Sequence, residues 1–213
     1  MRTPIFIFLP ILLLYACSSS PGSREQINYP KHPRSILVMP PVNRSVDIDA
    51  PLTFLATSAY PLSESGYYVL PVALTNETFR ENGMAIAEEA HAIPHGRLHE
   101  IFGADAALYI TINQYGAIYY VVTSAVVASA SARLVDLRSG EELWAGRVQV
   151  ADSSSPSTAG LIGTLVEAVV NQVVNTLANR AFDVGRSANR QLLFAGGKDS
   201  ILYGPYHPLF GSN

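Results

Sequence analysis

The sequence predicts an α/β domain: a single mixed β-sheet with packed helices, a long C-terminal amphipathic helix and an irregular C-terminal arm. Three observations predict it. Short apolar runs bounded by proline or glycine, at Ile36 and at Tyr67, read as strands. Residues 106–151 hold β-branched and small residues in three segments, closed by a glycine turn. From Ala159 onward apolar residues recur at the helical period. The order β-α-β-α-α-β-β-β-α places helices on one sheet.

Each element has its own local reason. Arg34-Ser-Ile-Leu-Val-Met-Pro40 is an apolar run that suits a buried strand. Pro40-Pro41 ends it, and a polar loop runs to Asp49. Pro51 fits the first turn of a helix reaching about Ser63. Gly66 punctuates, and Tyr67 to Leu70 is the second strand. Thr75-Asn-Glu-Thr78 caps a short helix through Asn82-Gly83, residues 84–94 fit no template, and Gly96 to Phe102 is a further helical turn or two. Ala106 to Asn113 is a strand, and Ile118 to Leu137 is a second, longer one. Arg138-Ser-Gly-Glu141 turns the chain with glycine in the left-handed position. Glu142 to Ala151 returns, with Trp144, Gly146, Val148 and Val150 inward. Small residues such as Ala128, Ala130 and Ala132 let a helix pack close to the sheet. That helix runs from Ala159 to about Asp183, with Ile162, Val166, Val169, Val173, Leu177 and Ala181 on its apolar side and Glu167, Asn171, Asn175 and Asn179 opposite. The arm begins at Gln191.

The start of the chain carries an address. Arg2, the apolar core Ile5 to Leu14 and small Ala16 make an export signal. The uncharged stretch Thr3 to Ala16 is shorter than the ~20 apolar residues a bilayer span needs. It ends Leu14-Tyr15-Ala16-Cys17, which looks like a lipobox, and Cys17 is the only cysteine. Residues 1–16 are then a lipoprotein signal peptide. A diacylglycerol on the Cys17 thiol and acylation of the new amino group hold the mature chain to a membrane, each buried methylene adding roughly 0.8 kcal/mol. Residues 17–33 form a lipidated flexible tether, and 34–213 a single periplasmic domain. Ser18 in place of aspartate directs it to the outer membrane, on the periplasmic face.

The charge balance sets further bounds. Beyond the leader, 13 basic residues stand against 17 acidic ones, a net −4. That balance, with no run of Lys and Arg in the sequence, gives no reason to bind nucleic acid. Charged residues make up 15% of the chain, below the usual ~25%. A low charge content implies a generous core or an apolar surface that a partner covers.

Candidate sites are few. His91, His95 and His99 are spaced four apart and would share a helix face, near Glu88 and Glu100, as zinc ligands do. Pro94 and Gly96 interrupt that helix, so surface or capping roles are expected instead, and no metal site is assigned. Asp47 and Asp49 have the spacing of paired carboxylates, but acidic turn residues are the expected reading. Gly160-x-x-Gly163 and Gly196-Gly197-Lys198 lack the phosphate-loop spacing. No Gly-x-Ser-x-Gly elbow is present, and acylation consumes the one thiol. The sequence therefore assigns no catalytic residue, no cofactor and one site residue, Cys17. The pairs Tyr67/Tyr68, Tyr119/Tyr120 and Tyr203/Tyr206 offer aromatic surface, and together with Trp144 they would suit a pocket for a small molecule or glycan, the alternative function.

Several blocks together resemble one family. They are Ile36-Leu-Val-Met-Pro-Pro-Val-Asn43, Ser45-Val-Asp47 with Ala50-Pro51, Gly66-Tyr-Tyr-Val69, Pro71-Val-Ala-Leu74, Glu100-Ile-Phe-Gly-Ala-Asp105, Ala132-Arg-Leu-Val-Asp-Leu-Arg138, Gly160-Leu-Ile-Gly163 and Leu202-Tyr-Gly-Pro205. The chain resembles a bacterial lipoprotein family, a domain of unknown function, that includes a meningococcal vaccine-antigen lipoprotein. The resemblance implies a fold similar to the amino-terminal domain of the Tol system's periplasmic translocation protein, a homodimer, and no enzyme activity. It also implies a place in an envelope transport or secretion assembly with an unnamed protein partner, by analogy of fold.

Overall fold

The computed structural model describes residues 32–119, 124–152, 166–197 and 200–211. Cys17 and its tether up to Lys31, Tyr120, Gly160, Gly163 and Lys198 lie outside the described residues.

The strands are β1 (Ser35–Val38), β2 (Val42–Asn43), β3 (Tyr68–Val69), β4 (Ala106–Tyr119), β5 (Ser124–Asp136) and β6 (Glu142–Asp152). The helices are α1 (Ala50–Glu64), α2 (Val72–Glu81), α3 (Ala87–His91), α4 (His95–Phe102) and α5 (Val166–Leu193). The sheet runs β3-β1-β4-β5-β6, with β2 also on β4. β3 and β4 both pair parallel with β1, and β2 is parallel to β4. The hairpin β4-β5-β6 is antiparallel, so the sheet is mixed as expected. Prolines 40 and 41 have no N–H to give a ladder, and they separate β1 from β2 along the same edge of β4. No described helix is long and apolar enough to cross a membrane.

Period-two alternation divides the sheet residues between two cores. On one face Ile36, Val38, Leu108, Ile110, Ile112, Ala128, Ala130, Ala132 and Leu134 pack with Phe54, Leu55 and Leu62 of α1 and Ala181, Val184, Ala188 and Leu192 of α5. The alanine row of β5 is what lets α5 come close, as the small residues implied. Trp144, Val148 and Val150 of β6 join this face, and the indole of Trp144 lies against Gly146. On the other face Leu37, Met39, Ala107, Tyr109, Val135 and Leu137 pack with Phe79, Ala90 and Leu98.

Three expectations need correction. Strand β4 does not stop at Asn113, and residues 118 and 119 belong to it, not to one long strand reaching 137. A bulge at Asn113 and a φ of 100° at Gly116 absorb the irregularity, so polar residues that read as a strand end sit inside the ladder. Helix α5 runs past Asp183 to Leu193, because Val184, Ala188 and Leu192 keep its apolar stripe facing the sheet. Gly185 within it serves packing: a Cβ there would sit 2.6 Å from Tyr115 Cε2 and 3.0 Å from Thr53 Cγ2. Finally, Thr75 does not cap α2, which starts three residues earlier at Val72 behind Pro71.

Buried polar groups fasten the helices to each other. Asn189 Nδ2 donates to the Phe54 carbonyl at 2.8 Å and to Thr57 Oγ1 at 2.9 Å, across the α1–α5 interface. Ser65 Oγ lies 2.7 Å from the Pro61 carbonyl and accepts from the Ala195 N–H at 2.8 Å, tying the end of α1 to the end of α5. The arm then docks on the turn after α1. Gly204 N–H donates to the Ser65 carbonyl, Tyr206 N–H to the Gly66 carbonyl, and the Tyr67 hydroxyl to the Leu202 carbonyl.

Candidate functional site

The second face of the sheet is only partly covered. Its helices reach β1, the start of β4 and the end of β5, and no residue of β6 joins that core. What remains bare is the hairpin floor. Register places Tyr109 beside Arg133 and Ala145, then Thr111 beside Ser131 and Arg147, then Gln114 beside Ser129 and Gln149. These are small or polar side chains, the expected composition of a sheet face that meets water.

Two open hollows share this floor. One, of about 750 Å³, takes in His91, Tyr109, Thr111, Ser131, Arg133 and Arg147 on this face and reaches past β6 to Gln191 and Leu192 of α5 and to Ser200. The other, of about 530 Å³, takes in Arg44, Asn113, Ser129, Ser131, Arg147 and Gln149. Arg44 arrives from the end of β2, where its N–H donates to the Ile112 carbonyl at 2.9 Å. Among the described residues, ion pairs hold Arg80, Arg97, Arg138, Arg180 and Arg186 to carboxylates, and hold none of Arg44, Arg133 and Arg147. Glu142 is the one carboxylate among the described residues lining either hollow. A guanidinium stays charged at any physiological pH, so the floor is locally positive on a chain that is acidic as a whole.

Tyr109 sits at the covered end of this floor, 3% exposed. The Arg133 guanidinium lies over its ring, 4.8 Å from the centroid, and the His91 ring meets it edge-on at 5.0 Å. Its hydroxyl is buried with no hydrogen-bond partner among the described residues. An unpaired buried hydroxyl costs about 1–3 kcal/mol. Burial pushes the Tyr109 phenol up, against the pull of Arg133, so it remains a donor. Burial holds the His91 imidazole below its usual range, with Arg133 adding to the effect. The hydrogen bond to the Pro40 carbonyl, at 2.8 Å, and the charge of Glu88 pull the other way.

The structure separates the three histidines into different tasks. His91 ends α3, His95 opens α4 with its ring 6.1 Å from Tyr109, and His99 Nδ1 lies 2.7 Å from the Ala104 carbonyl. Among the described residues no three His, Cys, Asp or Glu side chains gather to hold a metal. Asp47 and Asp49 form a turn: Asp47 Oδ1 accepts from the Asp49 N–H at 2.9 Å. Asn43 organises the same loop by donating to the Asp47 carbonyl at 2.8 Å and accepting from Ser45. The loop so fixed holds Val46 and Ile48 out in solvent, 99% and 87% exposed. Of the tyrosines, Tyr67 is buried and Tyr68 exposed, as strand alternation requires. Trp144 faces the helix-covered side, away from the bare floor. Sequence reading missed the arginine cluster because its members are 14 or more residues apart. The cross-strand register of the β5–β6 hairpin is the signal that finds it.

Comparison with known proteins agrees with this architecture. A family model described as "Putative lipoprotein GNA1162-like" matches residues 28–206. A lipoprotein of Neisseria meningitidis serogroup B is 47% identical over 207 residues, 96% of this chain and 96% of that one. The crystal structure of lipoprotein GNA1162 from Neisseria meningitidis is similar with a TM-score of 0.55 and 51% identity, over 67% of this chain and 99% of that one.

Proposed function

The chain belongs to the GNA1162-like lipoprotein family, and on that premise we propose a non-enzymatic accessory subunit of an envelope transport or secretion complex, anchored to the outer membrane through acyl chains on Cys17. In this reading the domain sits on the periplasmic face, acts as a homodimer and contacts an envelope protein. Kinship with the amino-terminal domain of the Tol translocation protein is part of the same proposal, and the mixed α/β sheet of this chain is compatible with it.

One observation carries the reading. The chain enters the fold at one end of β4 and displays its most exposed apolar side chains toward the other. At the first end, Asp105 Oδ2 accepts from the N–H groups of Arg34 and Ser35 and from Ser35 Oγ. Val46 and Ile48 sit beside the β4 segment from Ile112 to Gly116, where Asp47 lies against Gly116. Roughly 30 Å of strand separates the two ends. Val46 and Ile48 would thus offer an apolar contact surface at the end of β4 far from Arg34.

The test is crosslinking in intact cells from a photoreactive residue at position 48. A stoichiometric envelope protein is expected, and Cys17→Ala should abolish acylation and the crosslink together. Recovery of the uncrosslinked monomer alone would overturn the subunit role. Unaltered maturation of the Cys17→Ala chain would overturn the anchor.

A further inference from the structure

We propose that the bare floor of the β4-β5-β6 hairpin binds an acidic glycan, a sugar chain bearing carboxylates. The inference is independent of the anchor and of any protein partner at Val46 and Ile48.

Three features of the floor choose this ligand. The first is charge. Arg44, Arg133 and Arg147 come from three strands or their ends, and none is paired with a carboxylate among the described residues. Arg133 and Arg147 are diagonal neighbours on adjacent strands, ~7–8 Å apart at the backbone. That spacing lets two guanidinium groups grip separate carboxylates, or one from both sides, with the bidentate geometry arginine favours.

The second feature is the floor itself. Thr111, Ser129, Ser131, Asn113 and Gln149 present hydroxyls and amides, each both donor and acceptor. Sugar hydroxyls need such partners. An acidic peptide would find less here. The backbone of β5 is paired on both sides, and the floor offers small or polar side chains where a peptide needs apolar pockets. The third feature is Tyr109, whose buried hydroxyl has no partner beneath Arg133. That hydroxyl is a spare donor at the covered end of the floor.

The experiment is calorimetric titration of the full-length lipoprotein in nonionic detergent. The probes are an oligogalacturonate, a neutral galacto-oligosaccharide, a poly-glutamate peptide and inorganic phosphate. Saturable binding of the oligogalacturonate is expected, weakening as salt rises. Arg133→Gln and Arg147→Gln should each weaken it about tenfold or more, the loss of a charge-assisted pair. Arg80→Gln, at an arginine paired with Glu77, should leave it unchanged. Both floor arginines are exposed, so the variants should melt with the parent. The proposal falls if the neutral sugar binds equally well, if poly-glutamate or phosphate binds as tightly with the same arginine dependence, or if nothing saturates. It also falls if Arg80→Gln costs as much as the floor variants.

Discussion

The two faces of one hairpin solve different problems with adjacent residues. Along β4, Ile110 and Ile112 point into the core under α1 and α5, whereas Thr111 and Asn113 border the open floor. Along β5, Ala128, Ala130 and Ala132 admit a helix, whereas Ser129, Ser131 and Arg133 lie bare. The covered face spends its residues on close packing, down to a glycine in α5. Among the described residues, three of the five arginines that no carboxylate pairs, Arg44, Arg133 and Arg147, gather at the bare face. The contrast separates what holds the fold from what the fold displays.

The largest test of that contrast is a pair of neighbours. Ile110→Ala should destabilise by about 3 kcal/mol, the cost of a cavity in a core that cannot collapse. Thr111→Ala, one residue on and on the other face, should stay within about 0.5 kcal/mol. Denaturant unfolding of both variants measures the difference, and equal losses would show that the floor is part of the core. Second in size is Gly185→Ala. Its methyl would press on the Tyr115 ring and Thr53, and overpacking of ~1–3 kcal/mol should outweigh the ~1 kcal/mol that alanine gains in helix propensity. A net stabilisation in the same assay would show that α5 has room to move. The smallest effect is at the boundary between the faces. Burial holds the folded His91 imidazole below its ordinary pKa of about 6.5, so the unfolded chain takes up the proton first as pH falls. Its contribution is complete above about pH 6.5 and declines below that, until the folded imidazole titrates as well. Melting temperatures between about pH 7.5 and about pH 5.5 should fall less for His91→Gln than for the parent chain; parallel curves would remove His91 from the account.

Local signals were enough to place most of the framework. The Ile36 run, Pro51 at the head of α1 and the Gly140 turn, with φ 75°, each act within a few residues, and each appears where the sequence puts it. The inward set Trp144, Gly146, Val148 and Val150 follows from alternation alone. The failures are non-local. Helix α5 continues past Asp183 through Gly185, which packs against Tyr115, a contact between residues 70 positions apart. Asn113 to Gly116 breaks a strand by composition and stays within it through pairing with β5. The arginine floor follows the same rule: Arg44, Arg133 and Arg147 are unremarkable in sequence and become a group only through sheet register. Pro94, by contrast, kept the histidine run from being read as one helix, and the structure divides it between α3 and α4.

The seat of β1 has a mechanical consequence. It lies between β3 and β4, parallel to both, and the Asp105 carboxylate grips the backbone just before it. A load applied at Arg34 along the strand axis would act on β1 between two partners. The flanking bonds, Tyr68 N–H to the Arg34 carbonyl, Leu70 N–H to the Ile36 carbonyl and Met39 N–H to the Leu108 carbonyl, are loaded together in shear and do not peel one by one. A force along that axis would meet the fold in its most resistant direction.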